Sequence, residues 1–266
     1  MRLQILTATA LLLYSLSASA EVQQLAVPSR TLGNPRRIEV YLPPGYHQDR
    51  SRRYPVLYLQ DGQNLFNPRA MHGGWAADRG ADRQICSGRA CPAIIVGIHN
   101  SPARMREYTP SRDPEVGDGG GAERYLDFVT RELKPFIDSR FRTLQGPQNT
   151  GIGGSSLGGL LALHAGLTRP SVFGKVLAMS PSLWWNNREM IDRVAQMRGL
   201  PSLRLYLDSG GPRDGKANTD AMRDLLARKG MRFNENLWHW HEPGAVHNEA
   251  AWRARFPRAL GALFPR

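Results

Sequence analysis

Short β-like segments alternate with helix-like segments along most of this 266-residue chain. The segment 93–98 is an almost unbroken apolar run, as expected for a strand buried on both faces of a parallel sheet. Between Ala122 and Ile137, apolar residues recur every three to four positions, which predicts an amphipathic helix whose last turn Pro135 kinks. The alternation predicts an α/β fold with a mostly parallel central sheet and helices on both faces.

The remaining segments extend this pattern to the end of the chain. Strands are predicted over 37–42, 54–59, 148–153, 173–179, 203–208 and 233–240, and a final helix over 248–264. The stretch 99–121 contains three prolines and a triple glycine, and it is predicted to be an irregular loop that is either functional or mobile. No repeat or linker divides the chain, so residues 21–266 are predicted to form one domain without a large cap.

The first twenty residues have the pattern of a secretory signal peptide. Arg2 precedes an apolar stretch that ends near Leu16, and Ala18-Ser19-Ala20 supplies small residues for cleavage. The apolar stretch is shorter than a membrane-spanning helix, and no later segment could span a bilayer. The chain is therefore predicted to be cleaved after Ala20 and to be periplasmic or secreted.

Two cysteines fall four residues apart in the loop-like segment Cys86-Ser-Gly-Arg-Ala-Cys91. Gly88 allows a tight bend between them, and an exported chain meets an oxidising compartment, so a local disulfide is predicted. No histidine lies near the pair in sequence, which argues against a structural zinc site.

The chain is strongly basic, with 35 Lys and Arg against 23 Asp and Glu, a formal charge of +12. Loss of the signal peptide removes only Arg2 and leaves +11 on 246 residues. The arginines are scattered and the chain is predicted to be exported, which argues against nucleic acid as a partner. The excess of positive charge suits an anionic substrate or an anionic surface.

A Gly-x-Ser-x-Gly motif, Gly154-Ser155-Ser156-Leu157-Gly158, lies between a predicted strand and a predicted helix. Such a strand-to-helix turn holds the central serine at strained backbone angles with its oxygen exposed, and the helix N-terminus faces a developing oxyanion. This context identifies Ser156 as a candidate nucleophile.

A serine nucleophile needs a base and a group that orients the base. His247 lies between the last predicted strand and the last helix, where the base of an α/β-hydrolase belongs. His239 and His241 share one face of a strand and are interpreted as a solvent-facing pair rather than a metal site. Asp208 and Asp214, which follow the predicted strand 203–208, are both candidates for the acid.

Several blocks of sequence resemble the esterase D-like, or putative esterase, family of α/β-hydrolases, and within it the enterochelin-esterase-like subgroup. The blocks include Tyr41-Leu-Pro-Pro-Gly-Tyr46, Asp61-Gly-Gln-Asn-Leu-Phe66, Arg106-Glu-Tyr-Thr-Pro110, the elbow itself and Ser180-Pro-Ser-Leu-Trp-Trp185. They occur in the family's order over most of the chain. The resemblance implies an α/β-hydrolase fold and a serine esterase that needs no metal or cofactor.

The resemblance also implies roles for individual residues. Ser156 and His247 take the nucleophile and base positions, and Asp214 takes the acid position because it follows Gly211 by three residues, although an extra glycine in this loop departs from the family pattern. The backbone N–H groups of Leu157 and Gln63 would form the oxyanion hole. Arg104 and Arg106 are candidate contacts for an anionic substrate.

The predicted function is hydrolysis of a small-molecule carboxylic ester through an acyl-enzyme on Ser156. A siderophore trilactone of the enterobactin type suits the basic chain. A feruloyl or acetyl ester of a polysaccharide is the alternative within the class. From a different class, the chain could be a non-catalytic protein that binds an anionic ligand on a hydrolase scaffold.

Overall fold

A computed structural model describes residues 20–266 of the chain, so all of the predicted signal peptide except Ala20 lies outside the described residues. Eight strands form the main sheet in the order β1-β2-β4-β3-β7-β8-β9-β10. They are β1 (Glu21–Val27), β2 (Arg36–Leu42), β3 (Val56–Gln60), β4 (Ile94–Ile98), β7 (Thr150–Ser155), β8 (Lys175–Met179), β9 (Arg204–Ser209) and β10 (Leu237–His241), while β5 (Arg112–Asp113) and β6 (Asp118–Gly119) form a separate hairpin. Only β2 pairs in antiparallel fashion within the main sheet, with β1 and β4, and the other pairs are parallel.

In the part of the chain that the structure describes, eight α-helices connect or cover these strands. They are α1 (Ala77–Cys86), α2 (Arg104–Tyr108), α3 (Ala122–Phe128), α4 (Lys134–Arg140), α5 (Leu157–Thr168), α6 (Trp185–Gln196), α7 (Lys216–Arg228) and α8 (Glu249–Leu263). The predicted α/β architecture is confirmed. None of the helices within residues 20–266 is both long and apolar enough to cross a bilayer.

The central strands bury both of their faces, which explains their continuous apolar sequences. In β3, Val56 and Tyr58 belong to the core beneath α3 and α5, whereas Leu57 and Leu59 belong to the core that Trp252 and its neighbours on α8 cover. Each fully buried side chain of this size contributes about 1.5–3 kcal/mol to the free energy of unfolding. Helices packed on both faces therefore fix the carboxyl ends of the strands as a rigid edge.

The predicted helix over 122–137 is divided by a π-helical segment, Val129–Leu133, between α3 and α4. Pro135 has no N–H to donate to the carbonyl of Arg131, four residues earlier, and its ring crowds that carbonyl. The backbone accommodates the proline by widening before it rather than by kinking the last turn, which corrects the prediction.

The stretch 99–121 is ordered rather than irregular, which corrects the sequence-based description. It contains α2 and the β5–β6 hairpin, and Ser111 O accepts a hydrogen bond from Trp185 Nε1 at 3.0 Å. Asp113 Oδ2 accepts another from the Asn186 backbone N–H at 3.0 Å. The stretch is thereby attached to the start of α6.

The predicted disulfide is absent, and both cysteines are free. Cys86 is exposed at the last residue of α1, whereas the Cys91 thiol turns away and donates to the carbonyl of Pro265 at 3.0 Å. The two thiols are therefore not joined, although only four residues separate them in sequence.

Candidate active site

Ser156 lies at the turn between β7 and α5, as its sequence context predicts. Its backbone angles, φ 57° and ψ −124°, are unfavourable for a residue with a side chain. A Cβ atom on Gly154 would approach the Gly158 carbonyl carbon to 2.9 Å, so the flanking glycines are required for the turn to close. The Ser156 N–H donates to Met179 O, and its C=O accepts from the Ser182 N–H, each at 3.0 Å, which holds the turn against the end of β8.

The Ser156 hydroxyl contacts another serine in this structure. Ser156 Oγ lies 3.2 Å from Ser182 Oγ, and within residues 20–266 it makes no hydrogen bond to His247. Catalytic hydrogen bonds are commonly long or absent before substrate binds. Ser182 was not singled out from the sequence, although it belongs to the Ser180–Trp185 block that carries the family resemblance.

His247 is oriented by Asp214 and not by Asp208. His247 Nδ1 lies 2.6 Å from Asp214 Oδ1, and the Asp214 side chain is fully buried while that of His247 is 39% exposed. The imidazole also packs edge-on against the Trp252 ring at a centroid distance of 4.9 Å. These contacts leave Nε2 as the nitrogen available to a reacting group.

Asp214 stays ionised because three donors surround it. Burial raises its pKa, but hydrogen bonds from His247, the Ser180 hydroxyl at 2.6 Å and the Gly210 N–H outweigh burial and hold the pKa below its usual value. An ionised carboxylate can fix the imidazole tautomer and stabilise an imidazolium.

Asp208 lies behind Asp214 in a buried network that the sequence analysis did not detect. Arg255 Nε donates to Asp208 Oδ2 at 3.0 Å, and Arg255 Nη2 lies 2.7 Å from Ser180 Oγ and 3.5 Å from Asp214 Oδ2. Trp252 Nε1 also donates to Ser180 Oγ, at 3.1 Å. Burial raises the pKa of Asp208 to about 6 despite the opposing effect of Arg255. Nothing in the sequence of α8 distinguishes Arg255 from a surface arginine.

Gln63 and Leu157 each lie directly after a strand of the sheet, in the first turn that follows it. Gln63 lies in a 3-10 turn, Gly62–Asn64, that follows β3, and Leu157 is the first residue of α5. A Cβ atom on Gly158 would lie 3.0 Å from the Gln60 Cβ, so the first turn of α5 packs against the end of β3, just before the Gly62–Asn64 turn. The Gln63 side chain accepts a hydrogen bond from the Asn100 N–H at 3.1 Å.

Arg104 and Arg106 both have acidic partners. Arg104 forms a two-pronged ion pair with Asp61, with Nε and Nη2 at 2.7 and 2.8 Å from the carboxylate oxygens. Arg106 is exposed, and its Nε lies 3.2 Å from Asp118 Oδ1. The Arg104 pair fixes the loop before the Gly62–Asn64 turn, where Asp61 adopts a φ of 57°.

A cavity of about 270 Å³ opens beside His247 and Asp214. Trp184, 52% exposed, and Arg213 form part of its wall. Trp184 precedes three successive residues with positive φ, Asn186 to Arg188, a strained run that the hydrogen bonds to Ser111 and Asp113 hold in place. The strained run fixes an exposed indole at the mouth of the site. No cluster of metal-ligating side chains is present in residues 20–266.

His239 and His241 are not solvent-facing, which corrects the sequence interpretation. The His239 side chain is 10% exposed, and its Nε2 is 3.6 Å from Asp220 Oδ1, while the Nε2 atoms of both histidines are buried without a hydrogen-bond partner among the described residues. α7 covers this face of β10, so the alternating histidines point inward.

Substitution His239→Gln is expected to reduce the acid sensitivity of the fold. Burial lowers the pKa of His239 from 6.5 to about 4, helped by Arg223, so the neutral ring is favoured in the folded state. As the pH falls from 6.5 to 4, the unfolded chain takes up this proton first, and the folded protein loses about 3 kcal/mol of stability. Glutamine does not titrate, so the variant does not lose this stability. The unfolding free energy of the wild type should therefore fall relative to that of His239→Gln as the pH decreases from 6.5 to 4. Urea denaturation on either side of the window measures the difference, and a constant difference would contradict the prediction.

A family model described as "putative esterase" matches residues 29–263. Among curated proteins, a siderophore enterobactin esterase of Emericella nidulans is 40% identical over 207 residues, covering 68% of this chain and 67% of its own length. A ferri-bacillibactin esterase, BesA, of Bacillus subtilis is 31% identical over 225 residues, covering 76% of this chain and 71% of its own length.

Solved structures share the architecture. An IroE-like serine hydrolase from Shewanella oneidensis superposes with a TM-score of 0.73 at 27% identity, covering 92% of this chain and 80% of that one. The mainly parallel sheet with helices on both faces is therefore the α/β-hydrolase-type arrangement that the sequence resemblance implies.

Proposed function

We propose a Ser156–His247–Asp214 mechanism for this chain, which belongs to the putative esterase family and is an ester hydrolase. The hydrogen bond of 2.6 Å between His247 Nδ1 and the buried Asp214 is the observation that carries the assignment. It joins a base in the last loop to an acid after β9, at the edge of the sheet where the elbow holds Ser156.

The reaction begins when Ser156 Oγ leaves Ser182 and attacks the ester carbonyl carbon. His247 Nε2 accepts the hydroxyl proton, and Asp214 stabilises the resulting imidazolium. The backbone N–H groups of Leu157 and Gln63 stabilise the oxyanion, and His247 then protonates the departing alcohol. Water repeats the sequence on the acyl-enzyme and releases the acid.

The substrate that we propose is an ester whose acyl portion carries an aromatic ring, of the siderophore trilactone type. The named relatives are siderophore esterases, and here the exposed Trp184 and Arg213 offer an aromatic face and a positive charge in the cavity beside His247 and Asp214. A catecholate acyl group carries a ring and negative charge, which suits both. A feruloyl ester is the second candidate because its ring would use the same indole face.

Steady-state hydrolysis by the purified protein distinguishes between the two proposed substrate classes. We expect a higher kcat/KM for enterobactin than for methyl ferulate, and the reverse order would favour the polysaccharide-ester alternative. A fluorophosphonate probe should label Ser156, as located by peptide mass spectrometry. Failure of the probe to react, together with no ester hydrolysis, would favour the non-catalytic binding protein.

Substitution Trp184→Ala is expected to lower kcat/KM for methyl ferulate by about fivefold, because stacking on an aromatic face contributes about 0.5–1.5 kcal/mol. Methyl butyrate has no ring to stack and should be hydrolysed as by the wild type. Phe233→Ala is a matched control because Phe233 is similarly exposed, at 50%, but lies outside the cavity wall. Equal losses for both esters would exclude aromatic recognition by Trp184.

We also propose that the chain is exported and that residues 21–266 act as one catalytic domain. The support is the signal-peptide pattern and a first strand that begins at Glu21, directly after the proposed cleavage site. N-terminal sequencing of protein from a periplasmic or culture fraction should give Glu21 as the first residue, whereas Met1 would contradict cleavage.

A further inference from the structure

Three basic side chains are buried in the described chain, namely Arg36, Lys175 and Arg255. Arg36 forms an ion pair with Glu107 at 2.7 Å, and Arg255 forms one with Asp208 at 3.0 Å. Lys175 is only 9% exposed, yet it makes no hydrogen bond and no ion pair with any residue in 20–266. Most of the Lys175 side chain is therefore buried while no carboxylate neutralises its charge, in contrast to Arg36 and Arg255.

A second cation lies next to Lys175. Arg204 is its direct partner across the parallel β8–β9 pair, at the amino ends of the strands and therefore at the opposite edge of the sheet from Ser156. Arg204 Nε is buried and has no hydrogen-bond partner among the described residues. Each cation rests on an aromatic ring, Lys175 Nζ at 5.2 Å from Phe264 and Arg204 Cζ at 4.7 Å from Trp238, and neither has a carboxylate.

Both cations face an open cavity of about 720 Å³. Its wall contains no acidic residue, and its other polar side chains are uncharged groups that can donate hydrogen bonds: Gln148, Ser171, Ser202 and Asn236. Burial, with Arg204 adding to it, lowers the pKa of Lys175 to about 8, so at neutral pH the amine remains mostly charged. The cavity therefore combines two positive charges with neutral donors.

We propose that this cavity binds a phosphate or sulfate group, either as the free ion or as a monoester. Two adjacent cations match the two negative charges of such a group better than the single charge of a carboxylate, and its oxygens accept hydrogen bonds from several donors at once. The site is separate from the ester-hydrolysing centre, and the proposal does not depend on the Ser156 mechanism.

Isothermal titration calorimetry of the full chain with sodium phosphate, sulfate, glycerol 3-phosphate and acetate tests the site at constant ionic strength. We expect saturable binding of the divalent oxyanions that is about tenfold weaker or more in Lys175→Met and in Arg204→Gln, because each loses a charge-assisted hydrogen bond. Lys175→Arg should retain most of the affinity. Tighter binding of glycerol 3-phosphate than of phosphate would identify a monoester as the ligand, and the opposite order would identify the free ion.

Arg228→Gln is the matched control, because it removes one positive charge from an exposed position outside the cavity. It should bind phosphate as the wild type does. Circular dichroism and p-nitrophenyl butyrate hydrolysis confirm that each variant is folded. The proposal fails if phosphate and sulfate do not bind saturably to the wild type, if Lys175→Met binds them equally well, or if acetate binds as tightly as phosphate.

Discussion

Substitution Ser156→Ala should abolish ester hydrolysis and leave the fold unchanged. Alanine removes the only atom that attacks the ester, and loss of a serine nucleophile in a triad lowers kcat by about 10⁶-fold. The backbone at this position is strained at φ 57°, but alanine and serine bear that strain about equally because both carry a Cβ. Initial rates with p-nitrophenyl butyrate measure the loss, and the thermal unfolding midpoint should stay within a few degrees of the wild type.

Ser155→Ala is the control for this result. Ser155 is the last residue of β7, directly before the nucleophile, and it is buried. Its loss should leave most of the activity in place. If Ser156→Ala retained hydrolysis of the same ester, or if Ser155→Ala lost it equally, the assignment of the nucleophile would be wrong.

Substitution Asp214→Asn should lower kcat by about 10³–10⁴-fold. An asparagine amide can donate to Nδ1, which would place the imidazole proton on Nε2, the nitrogen that must accept the serine proton. It also removes the buried negative charge that stabilises the imidazolium. Steady-state kinetics with p-nitrophenyl butyrate measure the loss, and we expect it in kcat rather than in KM.

Asp208→Asn provides the comparison because the two carboxylates share Arg255 and a similar burial. Asp208 makes no hydrogen bond to His247, so its substitution should reduce kcat by less than about tenfold, through the packing of Ser180 and Arg255 alone. Equal losses in the two variants, or a larger loss in Asp208→Asn, would contradict Asp214 as the acid.

The strongest local signals in the sequence predicted seven of the eight strands that the main sheet has within residues 20–266, all except β1, and the strand-to-helix turn at Ser156. Buried parallel strands require continuous apolar residues, and the elbow requires small residues at fixed offsets, so both leave a pattern within a few positions. The choice between Asp208 and Asp214 leaves no such pattern. It depends on which carboxylate reaches His247, and Arg255 and Ser180, which position both carboxylates, come from other parts of the chain.

Other differences have the same physical origin. His239 and His241 alternate as an exposed face would, but α7 packs over them. The sequence gives no indication that Arg104 has an acidic partner, but in the fold it forms an ion pair with Asp61. In each case the neighbour that determines a side chain's exposure or charge is distant in sequence, and composition and periodicity carry no information about it.

The network behind Asp214 also connects the proposed site to a helix that is remote in sequence. Arg255 and Trp252 lie on α8, about a hundred residues after the elbow. A chain in which α8 is not docked would hold Ser156 at the elbow but would lack the donors to Ser180 beside Asp214. Ester hydrolysis through the proposed triad would therefore report that α8 has reached its native position.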